Sequence, residues 1–427
     1  MGGMLRPSLA PADDSLRPVD PEERISVLDA IRGFALLGIL FANLLSFSGF
    51  YVMSPAQLAA LPTAELDRLV VFWMDLLVEG KFYSLFSFLF GVGFFLLQER
   101  TERRGGDFRR LFLRRMAALL CIGLFHILVM WHGDILTLYA LMGFVLLLFR
   151  GAADRALLAW ALALLVMPFL FQLAMMGTGG ALDPTPPFDA LSRAIQDAAG
   201  GPEATLFSLR SSEQPWQVFL GNLANAVQRP GRYLQTGRPE KVLAMFVLGV
   251  WVGRRLLPDP LVHRRLLARV LAGGLVLGLL GNSVSAWIQM ETGKSFSLTP
   301  LGLVQTLAYA VGVAPLAMAY ASGLTLLWGT AWGRRLLSPF VPLGRMALTN
   351  YLCQSVLGLL SFYGYGLNLM GRVGAVWMLL LTPAILAVQW GLSVLWLRRH
   401  SQGPVEWAWR QLTYGRPRSL RVPAPSR

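Results

Sequence analysis

Charge and cysteine are both scarce in this 427-residue chain: 15% of its residues are Asp, Glu, Lys or Arg, and only two, Cys121 and Cys353, are cysteines. Where a soluble domain of this length would alternate apolar and polar faces, this chain is 55% hydrophobic and runs in long apolar stretches. Each cysteine lies inside such a stretch, so neither a disulfide framework nor a cysteine metal site is expected, and both read as small core residues. Also missing are a Walker loop, a cysteine–histidine zinc spacing, a glycine-rich dinucleotide fingerprint after a strand, and a soluble catalytic domain. These absences argue against ATP-driven transport by this chain alone, and no metal or permanently bound cofactor is expected. The first 23 residues are rich in Pro and Asp and have no apolar h-region, so they read as a flexible cytoplasmic tail and not as a cleaved signal.

What is present is a set of apolar stretches close to the roughly 20 residues a helix needs to cross a bilayer. They fall at 34–52, 82–97, 116–130, 135–149, 156–176, 242–257, 270–288, 303–328, 347–362 and 373–397. The formal charge of +14 follows membrane orientation, because its basic residues cluster between the apolar stretches; no nucleic acid partner is expected. Of the 38 Lys and Arg, 28 fall on alternate connections that include 100–115, and 10 on the others. Cytoplasmic connections carry the excess. The fold expected is therefore an all-α polytopic transmembrane bundle of about ten spans in an inner membrane, with both termini cytoplasmic. The least secure pair is 116–149, where two short stretches are joined only by Trp131 to Asp134; a re-entrant pair would give eight spans with the same orientation.

The organisation expected is a tail (1–23), a first membrane bundle (24–176), an extracytoplasmic loop (177–241), a second bundle (242–400) and an interfacial tail (401–427). Within the loop, Phe188, Leu191 and Ile195 share one helical face and Trp216, Phe219 and Leu223 another. A lid over an outward site and a pair of helices resting at the interface are both open. Trp407, Trp409 and Tyr414 read as membrane-boundary anchors. No repeat relates the two halves, so the inverted-repeat signature of many transporters is missing.

Few groups could carry chemistry. Asp29 and Arg32 lie three apart at the mouth of the first span and can pair; spacing alone also fits a capping aspartate beside a positive-inside arginine. Asn43 follows deeper in the span. His126, about six residues below the turn after the third span, should face the bundle interior or a wet cavity; it suits either a helix–helix hydrogen bond or a proton acceptor. His132 sits in the turn and should be more exposed. Asp134 can cap the next helix or orient a histidine. Ser84, Ser87 and Gly91 form a small face for close packing, while Lys81 can snorkel or meet an anionic head group. Arg345, with Arg334 and Arg335, forms a basic cluster able to hold a nucleotide phosphate or simply to mark the cytoplasmic side. Asn350 and Gln354, four apart beside Ser355, can join helices or line a polar pathway.

The run from Arg24 to Gly33, together with Gly80-Lys81-Phe82, the stretch from Leu85 to Gly91, Gly133-Asp134-Ile135-Leu136, the stretch from Gly344 to Tyr351, and Gly403-Pro404-Val405-Glu406-Trp407, resembles the YeiB family of bacterial membrane proteins across nearly the whole chain. The first helix is also similar, more distantly, to two transmembrane acyltransferase families. One is the heparan-alpha-glucosaminide N-acetyltransferase group, which opens on a similar Leu-Asp-x-x-Arg-Gly with a later Asn. The other acylates bacterial surface sugars and places a histidine eleven residues after the arginine, where this chain has Asn43. An amide cannot act as a general base, so the resemblance implies a base elsewhere.

That resemblance implies acyl transfer from a cytoplasmic acyl-CoA-type donor to an outward or lipid-linked acceptor. Arg32 and the weaker candidate Arg345 would engage donor phosphate near Asp29, and Asn43 would hydrogen-bond the donor. His126, or else His132, would take the acceptor proton, with Asp134 orienting it. The competing reading is a transporter whose path is lined by Asn43, His126, Asn350 and Gln354, with Pro168, Pro315 and Pro383 breaking helices. A lipid-binding role in an envelope complex is a third. Expected partners are membrane lipids and the small donor and acceptor; self-association is left open.

Overall fold

The computed structural model describes residues 25–257, 260–293, 295–415 and Leu420. The tail expected at 1–23, Arg24, Lys294 and most of 416–427 lie outside the described residues. The chain starts with α1 (Ser26–Phe47), the short α2 (Pro55–Ala59), α3 (Ala64–Leu77), α4 (Lys81–Arg103) and α5 (Phe108–Phe125), which continues as π-helix over His126–Met130. Next come α6 (Leu136–Leu146), α7 (Asp154–Gly177), α8 (Pro186–Gly200), α9 (Leu206–Arg210) and α10 (Pro215–Thr236). The remainder is α11 (Arg238–Leu256), α12 (Arg264–Thr292), α13 (Pro300–Trp328), α14 (Ala331–Leu337), α15 (Phe340–Arg345), α16 (Ala347–Phe362), α17 (Met378–Leu397) and α18 (Pro404–Tyr414).

Seven helical segments among the described residues are long and apolar enough to cross a membrane: α1, α3 with α4, α5 with its π-helical end, α7, α12, α13 and α17. The protein is an all-α polytopic membrane bundle. All ten apolar stretches of the sequence lie on helices. Of the three outside the seven, α6 and α16 are apolar but shorter, and α11 carries charge at both ends (Glu240 and Lys241, Arg254 and Arg255). Helices α7, α13 and α17 run through Pro168, Pro315 and Pro383 without ending there.

Small residues decide which helices touch. A Cβ on Gly91 would stand 1.9 Å from the Phe246 carbonyl oxygen, and one on Gly249 would stand 2.1 Å from that of Phe88, so α4 and α11 meet backbone to backbone. Phe90 stacks on Phe246 beside this crossing, with ring centroids 4.3 Å apart. Ser84 and Ser87 on the same small face bond back to the carbonyls of Gly80 and Tyr83 at 2.6 and 2.7 Å, which keeps their hydroxyls satisfied in an apolar setting. Helix α12 packs on α13 and leaves Val276, Leu280 and Trp287 exposed, a face for lipid.

Two sequence expectations are corrected here. Cys121 and Cys353 are not core residues; both side chains are exposed, because an apolar bundle surface facing lipid accepts a thiol as readily as a core does. Lys81 neither snorkels nor reaches a head group. It is fully buried and its ammonium donates to the Asp75 carbonyl at 2.5 Å.

The segment between α7 and α11 folds back over one end of the bundle. Its apolar faces are split: Leu191, Trp216 and Phe219 are exposed and Phe188, Ile195 and Leu223 half-buried, while Ser192, Gln196, Gly221 and Asn222 turn inward. The inward choice follows from what lies beneath. The turn Trp131–Asp134 is buried and needs polar partners, and Asn222 supplies them, accepting from the His132 N–H at 2.6 Å and donating to the Ile127 carbonyl at 3.2 Å.

Candidate functional site

One cavity of ≈ 410 Å³ passes along the inside of the bundle, lined at one end by Asp29, Arg32, Arg345 and Arg410, and at the other by Glu79, Arg229 and Arg238. Leu36, Phe86, Phe90 and Tyr139 form its apolar middle, and Asn43 lies on its wall. A basic mouth, an aromatic throat and a second basic end suit an elongated amphipathic anion.

At the first mouth Arg32 donates to Asp29 at 2.8 Å, in the i, i+3 arrangement expected of one helical face. Helix α15 lies against α1 without side chains between them: a Cβ on Gly344 would stand 1.8 Å from the Asp29 carbonyl oxygen, and one on Gly33 would stand 2.0 Å from that of Phe340. That approach delivers Arg345 to the same mouth, where it donates to the Ser401 carbonyl at 3.2 Å. Arg334 and Arg335 stay exposed on α14 and do not line the cavity, so the basic cluster of the sequence divides in two.

Helix α18 roofs this mouth. The Trp409 indole donates to the Arg115 carbonyl at 3.0 Å, and the Arg115 guanidinium lies 3.8 Å over the Trp409 ring. Trp409 and Tyr414, expected as boundary anchors, instead line the cavity. Glu406 accepts from the N–H groups of Leu348 and Thr349 at 2.7 and 3.1 Å and caps α16; burial pushes its carboxyl up from the usual range.

At the far end Arg238 donates to Glu79 at 3.1 Å and lies over the rings of Tyr83 and Tyr233 at 4.7 and 5.4 Å. Arg229 also faces Tyr233, at 4.9 Å. Deeper, the Tyr139 hydroxyl donates to the Tyr83 carbonyl at 2.8 Å and stands 2.8 Å from the Ser87 hydroxyl.

His126, Asp134 and Ser355 form a chain: His126 Nδ1 lies 3.0 Å from Asp134 Oδ1, and its Nε2 lies 2.8 Å from Ser355 Oγ. Asp134 also accepts from the N–H groups of Leu136 and Thr137 and so caps α6. The structure thus unites His126 and Asp134, but His126 is fully buried and does not line the cavity. Tyr351 does, with its ring 5.2 Å from the imidazole and its hydroxyl donating to the Gly133 carbonyl at 3.2 Å. Expected at an exposed turn, His132 is instead buried beneath α10, with Nε2 3.3 Å from Arg210. Burial, reinforced by Arg210 and Arg229, holds the His132 imidazole well below its usual value, and burial also draws the Arg210 guanidinium down.

Asn350 and Gln354 do not line the cavity. Asn350 donates to the Leu343 carbonyl and Ser393, Gln354 to Gln389, and Gln389 back to the Asn350 carbonyl, at 2.9–3.2 Å. These amides join α16 to α17. Sequence reasoning missed Arg115, Arg229 and Arg238 as cavity groups, because arginine beside an apolar stretch reads as a topology signal; Glu406 lay inside a quoted motif, yet its cap on α16 requires a contact across more than fifty residues.

Residues 251–416, from α11 through α18, match a family model described as "Protein of unknown function (DUF418)". The chain is 35% identical over 408 residues to "Uncharacterized protein YxaH" of Bacillus subtilis (strain 168), covering 94% of this chain and 96% of that one. It is 31% identical over 400 residues to an "Uncharacterized 39.9 kDa protein in amylase 3'region" of Bacillus acidopullulyticus, covering 93% and 96%. Similarity to "Uncharacterized protein YeiB" of Escherichia coli (strain K12) is 29% over 416 residues, covering 92% and 96%. With the motif-bearing helices α1, α4, α16 and α18 meeting around one cavity, and with relatives matched end to end, the chain belongs to the YeiB family of membrane proteins that carry the DUF418 domain.

Proposed function

We propose that this protein transfers an acyl group from an acyl-CoA-type donor, bound at the Arg32 mouth on the cytoplasmic side, to an acceptor at the outward end of the cavity. The observation that carries the reading is one continuous cavity, which joins an arginine-lined mouth to a second polar end through an apolar throat. Arg32 and Arg345 hold donor phosphate, for which a guanidinium fork is suited, and Asn43 hydrogen-bonds the donor within the throat. The acceptor hydroxyl or amine attacks the thioester carbonyl carbon, the new C–O or C–N bond forms as C–S breaks, and the thiolate leaves to become the donor's free thiol. Glu79, the carboxylate on the cavity wall at that end, takes the acceptor's proton and gives it to the leaving thiolate. His126, expected for that task, is enclosed by Asp134 and Ser355, and in this arrangement it positions Tyr351.

Purified protein in proteoliposomes, given radiolabelled acyl-CoA, tests the reading. Covalent label on an acceptor, lost in Arg32→Ala, is expected. The same cavity touches both ends of the bundle and so favours one rival, transport of a small amphipathic solute; label that crosses the vesicle intact, with no covalent product, replaces the first reading by the second.

A further inference from the structure

We infer that the outward end of the cavity is a binding site for a phosphate monoester, formed by Arg229 on the cavity wall and backed by Arg210 and the His132 imidazole, which are buried behind that wall and do not line it. The word acceptor for this ligand rests on the acyl-transfer reading; the site itself does not.

Charge and unmet hydrogen bonds mark the site. Arg210 is almost wholly buried; among the described residues its only side-chain hydrogen bond is to a neutral ring nitrogen, His132 Nε2, and its guanidinium lies 6.0 Å from the Tyr363 ring centroid. Arg210 Nε, Arg229 Nε and His132 Nδ1 are all buried without a hydrogen-bond partner. Among the described residues no carboxylate pairs with Arg210 or Arg229, for Glu79 is committed to Arg238 and Asp134 to His126 and the α6 cap. Buried charges are ordinarily paired. Arg210, buried behind the wall, and Arg229, half-buried on it, present two guanidinium charges faced by aromatic rings and not by carboxylates, and a phosphate monoester brings about two negative charges near neutral pH where a carboxylate brings one. Guanidinium donors also match phosphate oxygens in pairs.

The setting selects the rest of the ligand. Leu191, Trp216 and Phe219 on the outer faces of α8 and α10 are exposed apolar groups that place this end at the membrane interface, the depth of a lipid phosphate. The aromatic throat then accommodates the ligand's apolar portion. A lipid phosphate and a soluble phosphate ester share the recognising chemistry, and the length of the apolar tail separates them.

The test is equilibrium binding to the full-length protein in non-ionic detergent, using radiolabelled dodecyl phosphate, inorganic phosphate and dodecanol as probes. Dodecyl phosphate is expected to bind, to weaken about tenfold or more in Arg229→Gln and in Arg210→Lys, and to keep its affinity in Arg334→Gln, an exposed arginine that does not line the cavity. Arg210→Lys retains the charge but not the planar fork, and a melting curve shows whether it has folded. Inorganic phosphate binding as tightly as dodecyl phosphate, and with the same arginine dependence, supports the site and assigns it to a soluble ester. Equal binding of dodecanol, or loss in Arg32→Gln without loss in Arg229→Gln, overturns the proposal. Binding that follows Arg229 in a protein without acyl transfer leaves the site standing and removes the acyl-transfer reading alone.

Discussion

The carboxylate of Glu406, in the last helix, accepts the backbone N–H of Thr349 in the first turn of α16, fifty-seven residues earlier. The bond joins two of the motifs that mark the family and closes the basic mouth of the cavity, since α18 carries Trp409 and Tyr414 onto its wall. A helix N-terminus inside protein cannot leave its N–H groups unpaired. Glu406→Ala strands Leu348, Thr349 and the Thr349 hydroxyl together and should cost about 1–3 kcal/mol; Glu406→Gln, which keeps an acceptor oxygen, should cost less. Thermal unfolding in detergent orders the variants, and equal losses for Ala and Gln would remove the cap from the argument.

Ser355 is expected to matter for stability and not for turnover. Its hydroxyl stands 2.8 Å from His126 Nε2 in an enclosed chain that ends on Asp134. Ser355→Ala leaves one imidazole nitrogen without a partner and should lower stability by about 1–3 kcal/mol. Once corrected for folded protein, the acyl-transfer rate should be unchanged. A rate that falls a hundredfold in well-folded Ser355→Ala would make the hydroxyl a nucleophile and reverse the role given to His126.

The kinetics of acyl transfer should separate the two ends of the cavity. Arg32→Ala removes a contact made to the donor in ground and transition states alike, so KM for the donor should rise about tenfold with kcat little changed. Glu79→Gln keeps the shape of the Arg238 contact but removes the proton acceptor, so kcat should fall by about two orders of magnitude with KM held. Loss of kcat in both, or of KM in both, would contradict a division of labour between mouth and far end.

The bundle was readable in the sequence because lipid imposes a rule that is local along the chain: a spanning helix must be apolar for some twenty consecutive residues. The close face at Gly91 was readable for the same reason, as three or four residues of spacing define a helical side. Partners from distant helices were not. That Asp134 stands next to His126 could be guessed from the short turn between them, but that Ser355 closes the other nitrogen depends on how α16 leans on α5. The cysteines were misjudged, and which way the amphipathic helices of the covering segment face was left open, since apolarity says that a face leaves water and not whether it meets protein or lipid.

Exposed to lipid and unpartnered by any disulfide, Cys121 and Cys353 should be replaceable. Cys121→Ala with Cys353→Ala is expected to change stability by no more than about 0.5 kcal/mol each, giving a background for single-cysteine labelling. In that background Gly105→Cys, between α4 and α5, should react from the cytoplasmic side only, as the excess of basic residues on that connection requires. Labelling from the periplasm would invert the donor and acceptor sides.

The covering segment supplies a prediction in pH. His132 is buried under α10 with Arg210 3.3 Å from its Nε2, and its imidazole is held well below the ordinary value by burial first and by the two arginines after it. The unfolded chain takes up a proton near pH 6.5, whereas the folded chain does so only at lower pH. The preference for the folded state is therefore full above about pH 6.5 and is lost as pH falls from there toward the folded value, by up to about 1.4 kcal/mol for each unit crossed. Melting in detergent should accordingly fall between pH 7 and 5.5, and His132→Gln should flatten that fall. Because Asn222 binds the His132 backbone and not its ring, the variant keeps the main-chain link that holds α10 in place, and an unaltered pH profile in it would assign the acid sensitivity to another group.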